Sequence, residues 1–435
     1  LEKDKPLVLV QANLPIFESI SFLFVAQDPF ASLKIRDFRF FISARLFMTI
    51  ATQMQVVVVG WQVYEYTHDA LWLGMIGLTQ AIPFIGTALF AGHVADIIDR
   101  KKIVVTSSIV LSVCTALLWG FTINKSVFLH SYGIWPIYVV VFIMGVAKAF
   151  IAPSFFAFLS QIVPREQYPN ASTWSSTAWQ IGAVGGPNIG MVLYGFIGIT
   201  NTYAIDTILT VLALILMLFI PARPLVPRTK QESLKESLRQ GIDFVFKNEV
   251  MLAALSLDLF AVFFGGAVSL LPIFADQVLN VGKVGLGMLR SAPSVGAVIM
   301  GAIMAYYPPV KNAGIKMLVA VAGFGVCMIL FAESTSFAWS LFLLALSGAF
   351  DSVSVVIRST IVQLMTPDEM RGRVSAVNNV FIGSSNEIGE FESGLAAKIM
   401  TLIPSVVFGG GMTMLVTGYA AIKAKTLRTL QLDKV

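Results

Sequence analysis

Apolar residues in this chain come in long blocks and not in strand-like alternation. The blocks fall near residues 40–64, 71–93, 103–123, 134–159, 172–194 and 201–221, and resume after a polar stretch near 250–275, 284–306, 314–332, 337–361, 374–399 and 402–422. Each approaches the ~20 residues that a helix needs to cross a bilayer. The pattern predicts an all-α membrane protein of twelve transmembrane helices in two six-helix bundles. Span one is interrupted by Arg45, Gln53 and Gln55, and discounting it would leave eleven. The implied division is a tail over 1–33, a first bundle over 34–221, a linker over 222–249, a second bundle over 250–422 and a closing tail over 423–435.

Composition agrees. The chain is 56% hydrophobic and 13% charged, where a soluble domain carries about 25% charged residues. A net charge of +5 could suggest nucleic acid, but the bases flank membrane spans, which is a topology signal. With a cytoplasmic amino terminus, Lys34, Arg36, Arg39, Arg100, Lys101, Lys102, Arg165, Lys311, Lys316, Arg371, Arg373, Lys423, Lys425 and Arg428 all fall inside. Only Lys125, Lys283 and Lys398 fall on the opposite side. Both termini are therefore expected in the cytoplasm. Cys114 and Cys327 lie inside apolar runs and read as small core residues.

The linker begins with Pro221, Pro224 and Pro227, so the chain leaves the membrane irregularly. Beyond Gln231 the residues Leu234, Leu238, Ile242, Val245 and Phe246 recur at helical spacing. They predict either an amphipathic helix on the inner membrane surface or a plain connection between bundles. Near the amino terminus, ISFLFVA at 20–26 is too short to span, and a peripheral or disordered tail is expected.

The loop after span two reads GHVADIIDRKK. Its Gly92, Asp96, Arg100 and Lys101 resemble the loop motif of the major facilitator superfamily. The resemblance implies a gating latch, an aspartate and an arginine that bridge neighbouring helix ends in the outward-facing state and part when the inner gate opens. An ordinary solvated turn is the alternative. Span five contains IGAVGGPNIG, whose Gly182, Gly186, Pro187 and Gly190 resemble the motif of the superfamily's antiporter branch, with Met191 where a second terminal glycine is usual. Small residues there allow close helix approach, and the proline frees a carbonyl.

Three stretches, PFASLKIRDFRFF at 29–41, MTPDEMRGRVSAVNN at 365–379 and the span-five motif, are similar to the enterobactin-exporter-like branch, which includes siderophore and multidrug exporters. In span four Lys148 stands where that likeness would place an arginine, and YYPPVKNAGIK lacks the aspartate of a second latch.

Charges inside spans need a cavity or a partner, since one at mid-bilayer costs at least ~2.5 kcal/mol. Arg45, with Gln53 and Gln55, either lines a cavity or snorkels to the interface. Lys148, near the middle of span four, is placed where snorkelling is harder. Asp258 lies in span seven, and Asp351 and Arg358 lie seven residues apart in span ten, close to one face. They form either a gate or a static pair. Asp206 and Arg290 are secondary candidates. Span eleven is densest, with SSNEIGEFESG holding Asn386, Glu387, Glu390 and Glu392. Glu387 and Glu390 share a side and Glu392 points elsewhere. Acids there suit proton exchange or a cationic ligand, unless they merely wet a crevice.

The candidate proton-coupling residues are thus Glu387, Glu390, Lys148, Asp351 and Asp258. The candidate cavity residues are Arg45, Gln53, Gln55, Arg358 and Asn386. No P-loop occurs, and His68, His93 and His130 are scattered without a metal-ligand motif. An enzyme and a channel are disfavoured. The expectation is a monomeric exporter of a small amphiphilic molecule, siderophore-like or a drug, in a bacterial inner membrane. It would be driven by protons without a cofactor and would meet lipid but no nucleic acid. The alternative is inward symport or lipid translocation by the same fold.

Overall fold

Each apolar block becomes a long helix, because in hydrocarbon the backbone must satisfy its own hydrogen bonds and a helix does so within one segment. The computed structural model describes residues 29–123, 131–222, 234–367 and 370–432. The first bundle holds α1 (Arg36–Thr67), α2 (Ala70–Ile97), α3 (Arg100–Ile123) and α4 (Trp135–Ile162). The next helical run, Tyr168–Leu218, breaks at Gly198, where φ is 80°, into α5 (168–197) and α6 (199–218). That backbone conformation strains any residue with a Cβ. The linker folds as α7 (Leu234–Lys247). The second bundle holds α8 (Glu249–Gly265), α9 (Gly282–Tyr306), α10 (Ala313–Ala332), α11 (Phe337–Met365), α12 (Arg371–Met400) and α13 (Leu402–Lys423), with a last turn, α14 (Lys425–Arg428). Beyond α8, short 3-10 and π turns carry the chain on to Val278.

Among the described residues, nine segments are long and apolar enough to cross a membrane. One of them contains both α5 and α6, and α4 carries a shorter apolar stretch, Trp135–Ile151. The acid-bearing α12 is not among the nine. Two helix starts are fixed by side chains that accept otherwise orphaned amides. The Asp69 carboxylate accepts from the Leu71 amide (3.0 Å), and Asn248 from that of Met251 (3.0 Å). Prolines 83, 187 and 293 sit inside α2, α5 and α9, and the Thr87 hydroxyl donates to the Pro83 carbonyl (2.6 Å).

Two apolar cores result. One runs from the first bundle through Tyr64 and Met191 into Leu270, Phe274, Leu286 and Phe331 of the second. The other is confined to the second bundle, around Met251, Leu255, Ile357 and Leu427. The bundles therefore share a core toward the end away from α7, here called the distal end. The linker helix is amphipathic: Val245 is buried, Ile242 and Phe246 are exposed, and Gly241 packs on the Arg373 backbone. Residues 29–33 dock on α5 through the Pro29 carbonyl, which accepts from Asn170 (2.7 Å) and Trp174 (3.0 Å). The rest of the expected tail lies outside the described residues.

Candidate functional site

The bundles meet along two seams. At one, α5 lies between α1 and α9. A Cβ on Gly182 would meet the Thr49 side chain at 2.6 Å, and one on Gly186 the Ile50 carbonyl at 2.8 Å. On the other side of α5, Pro187 and Met191 pack against Gly287 of α9. Asn188 donates to the Ser291 hydroxyl (2.6 Å), which donates to the Val184 carbonyl (2.7 Å). At the second seam α2 crosses α12. Gly74 and Gly77 allow it, since a Cβ on Gly77 would lie 2.6 Å from the Glu387 carbonyl oxygen.

Between the seams is a cavity of about 550 Å³, walled by both bundles. Its apolar wall includes Val56, Val141, Met144, Trp179, Phe324 and Met328, and its polar wall is a connected network. Lys148 of α4 donates to the Gln80 side-chain oxygen of α2 (2.6 Å). The Gln80 amide nitrogen lies 2.8 Å from each carboxylate oxygen of Glu387 on α12. Arg290 of α9 lies 3.8 Å from Glu390, one turn further along α12. Gln80 thus relays a cation of one bundle to a carboxylate of the other.

Among the expected residues, Gln53, Gln55, Lys148, Asp351, Asn386, Glu387 and Glu390 line this cavity together. Two expected cavity residues do not. The Arg45 guanidinium lies over the Phe155 ring, 5.8 Å from its centre, on the α4 side of α1. Arg358 is 4% exposed and pairs with Asp258 of α8. Sequence spacing placed Arg358 two turns from Asp351, but α8 brings Asp258 against its guanidinium, so the pair forms between helices. Asp258, also near Ser354, is buried there and not in the cavity. Asp206 is buried with both carboxylate oxygens unpartnered among the described residues. Gln80 was missed, although it continues the three-residue step of Gly74 and Gly77. Arg290, treated as secondary, reaches the cavity.

The loop expected to act as a latch lies at the opposite end from the cavity's distal closure. Within it, the surroundings of Gly92 and the side chain of Asp96 are outside the described residues. Asp99 accepts from the Lys101 amide (2.9 Å) at the start of α3, and the Lys101 ammonium donates to the Leu218 carbonyl (3.2 Å). At the distal end several bonds tie the bundles. Glu65 of α1 accepts from Trp61 (2.7 Å) and Tyr194 and pairs with Lys283 of α9 (2.9 Å). Tyr64 donates to Asp276 (2.7 Å), and Lys398 pairs with Asp69. Asp69 sits outside the spans, and the hydrogen bond from Lys398 holds its carboxyl below the ordinary range.

Two bundles of helices closed at one end over a shared cavity, apolar on one wall and bearing a polar network on the other, are the arrangement of a carrier. The family model of the Major Facilitator Superfamily matches residues 41–389. The chain belongs to this superfamily. It is a transporter and not an enzyme. The enterobactin exporter EntS of Shigella dysenteriae serotype 1 is 24% identical over 378 residues, covering 86% of this chain and 88% of that one. The Escherichia coli O1:K1 / APEC protein of the same name matches to the same extent. Solved structures share the superfamily fold. A POT family transporter in complex with 5-aminolevulinic acid has a TM-score of 0.73 at 11% identity, covering 90% of this chain and 96% of that one. An inward-facing, unoccupied bacterial homologue of the human lysosomal transporter Spinster has a TM-score of 0.66 at 13% identity, covering 93% and 97%. A D-xylose–proton symporter has a TM-score of 0.69 at 12% identity, covering 88% and 96%.

Proposed function

We propose that this transporter is a proton-coupled exporter that moves a small amphiphilic molecule, siderophore-like or a drug, by alternating access. The observation that carries the reading is the bridge from Lys148 through Gln80 to Glu387 across the α2–α12 seam. A carboxylate there is costly to leave ionised without a partner. Breaking the bridge and protonating the acid are therefore coupled events. Substrate binds from the cytoplasm or inner leaflet with Glu387 and Glu390 ionised. Protons entering from outside then neutralise them, release substrate outward and permit the return. The proton gradient supplies the energy, without a cofactor. Substrate and proton must change each other's affinity reciprocally, by typically ~1–3 kcal/mol. The two relatives named as enterobactin exporters favour the export direction. The antiporter-like face of α5 packed on α1 adds support.

The working unit is a monomer crossing a bacterial inner membrane twelve times, with both termini and α7 cytoplasmic and the distal end outside. Cysteines placed at Arg239 and at Asn280 should be labelled from opposite sides of sealed vesicles, and labelling from one side would refute this topology. Function is tested in inside-out vesicles under an imposed pH gradient, with candidate compounds screened for gradient-dependent uptake. Accumulation that collapses with the gradient supports export. Accumulation only in right-side-out vesicles would assign inward symport or lipid translocation instead.

A further inference from the structure

The charges around the cavity do not balance. Among the described residues, five charged side chains line it: Lys148, Arg290, Asp351, Glu387 and Glu390. Lys148 is tied to Glu387 through Gln80, and Arg290 faces Glu390. Asp351 is left over. It has no hydrogen bond or ion pair among the described residues. The nearby cation on its own helix, Arg358, is held by Asp258 of α8, so that pair is neutral as a unit. With the glutamates ionised, the cavity therefore carries one uncompensated carboxylate at the middle of α11, where water is scarce and a lone charge is costly.

The surroundings of Asp351 say what would compensate it. A Cβ on Gly323 would lie 2.7 Å from the Phe350 ring, so α10 and α11 touch at this level. The next residue on each helix, Phe324 and Asp351, lines the cavity. A carboxylate and an aromatic ring on adjacent helices of one cavity wall suit a cation with an apolar shell, through ion pairing and the ring's negative face. Across the cavity Gln55 is 3% exposed and its side-chain nitrogen has no partner among the described residues, a donor waiting for an acceptor atom. The volume of about 550 Å³ is in the range for drug-sized ligands.

We infer that the transported molecule is a monocationic amphiphile, its positive group held by Asp351 on the wall that Phe324 also lines, and an acceptor atom held by Gln55. The inference rests on the export reading and narrows its substrate class. It also supplies the electrical logic of exchange. With Glu387 and Glu390 ionised, one cation makes the cavity neutral. Once they take up protons, Lys148 and Arg290 outweigh Asp351 and the cation is expelled.

The test uses tetraphenylphosphonium and tetraphenylborate, hydrophobic ions of nearly equal size and opposite charge. Saturable binding is measured on the full chain in nanodiscs of zwitterionic lipid, at fixed pH and without a gradient, after subtracting empty nanodiscs. The phosphonium should bind at least about tenfold more tightly than the borate, the scale of one ion pair. Asp351→Asn should weaken phosphonium binding by about tenfold, and Asp351→Glu should keep it within about threefold. Equal binding of the two ions, preference for the borate, binding of neither, or unchanged phosphonium binding in Asp351→Asn would overturn the inference. If Asp351→Asn does not fold, the comparison of the two ions on the unaltered chain still decides. Phosphonium binding without gradient-driven transport would refute the proton coupling alone, while gradient-driven transport with borate preferred would refute the cation site alone.

Discussion

The two seams between the bundles are built alike and loaded differently. At both, glycines bring helices into backbone contact, with Gly287 of α9 against α5 and Gly74 and Gly77 of α2 against α12. At cavity depth the α5–α9 seam is held by a neutral amide and hydroxyl, Asn188 and Ser291, and its only charged contact among the described residues, Lys283 over the Tyr194 ring and paired with Glu65, lies at the distal end. The α2–α12 seam places Glu387 and Glu390 on its contact face, with Gln80 bridging to Lys148. A neutral seam changes little with proton occupancy. A charged one holds its contact only while the charges stay matched. In the proposed proton-coupled cycle, the energy-coupling step therefore falls to α2–α12 and α5–α9 serves as a bearing.

The comparison can be broken most severely at Gly77. Gly77→Val puts a branched side chain where a Cβ already comes within 2.6 Å of the Glu387 carbonyl oxygen. Overpacking of that kind costs about 1–3 kcal/mol, and transport in every mode should fall, with the thermal midpoint lowered in fluorescence unfolding. Gln80→Leu should come next. It preserves size but cuts the relay, and because hydrogen bonds to charged groups are worth about 1.5–3 kcal/mol, gradient-driven flux should drop about tenfold or more. Flux assays at fixed substrate would read this directly. At the neutral seam, Asn188→Leu removes an uncharged hydrogen bond worth about 0.5–1.5 kcal/mol. It should cost less flux than Gln80→Leu and should leave pH dependence unchanged. A pH profile altered as much as by Gln80→Leu would erase the distinction between the seams.

The smallest effect belongs to the distal tie between Asp69 and Lys398, which is exposed and screened by solvent. Since Lys398 holds the Asp69 carboxyl below its ordinary range, the tie is fully present above that range and is lost as pH at the distal end falls through the lowered value. Spin labels across the distal end should show slightly more opening in acid, and Asp69→Asn should show that opening at neutral pH without further change.

Much of this was legible in the chain. Apolar blocks announced the helices because a span must be both long and greasy, and the acids of span eleven stood out because carboxylates are rare there. The break between spans five and six was read between residues 194 and 201, and the structure places it at Gly198, which nothing in its neighbours marks out. Gln80 and Arg290 were harder still. An amide in a span looks like tolerated polarity until a neighbouring bundle supplies Glu387, and depth along α9 says nothing of what α12 presents opposite. Arg358 shows the same limit in reverse, because spacing within one helix offered Asp351 while packing supplied Asp258.

The central claim is that Glu387 and Glu390 carry the protons of transport. It is tested most directly in proteoliposomes containing the Glu387→Gln, Glu390→Gln double variant, by comparing gradient-driven transport with substrate counterflow, which needs no net proton movement. The account predicts that gradient-driven transport falls to the level of empty liposomes while counterflow persists. Full gradient-driven transport in the double variant would contradict it and move the proton site away from the α2–α12 seam.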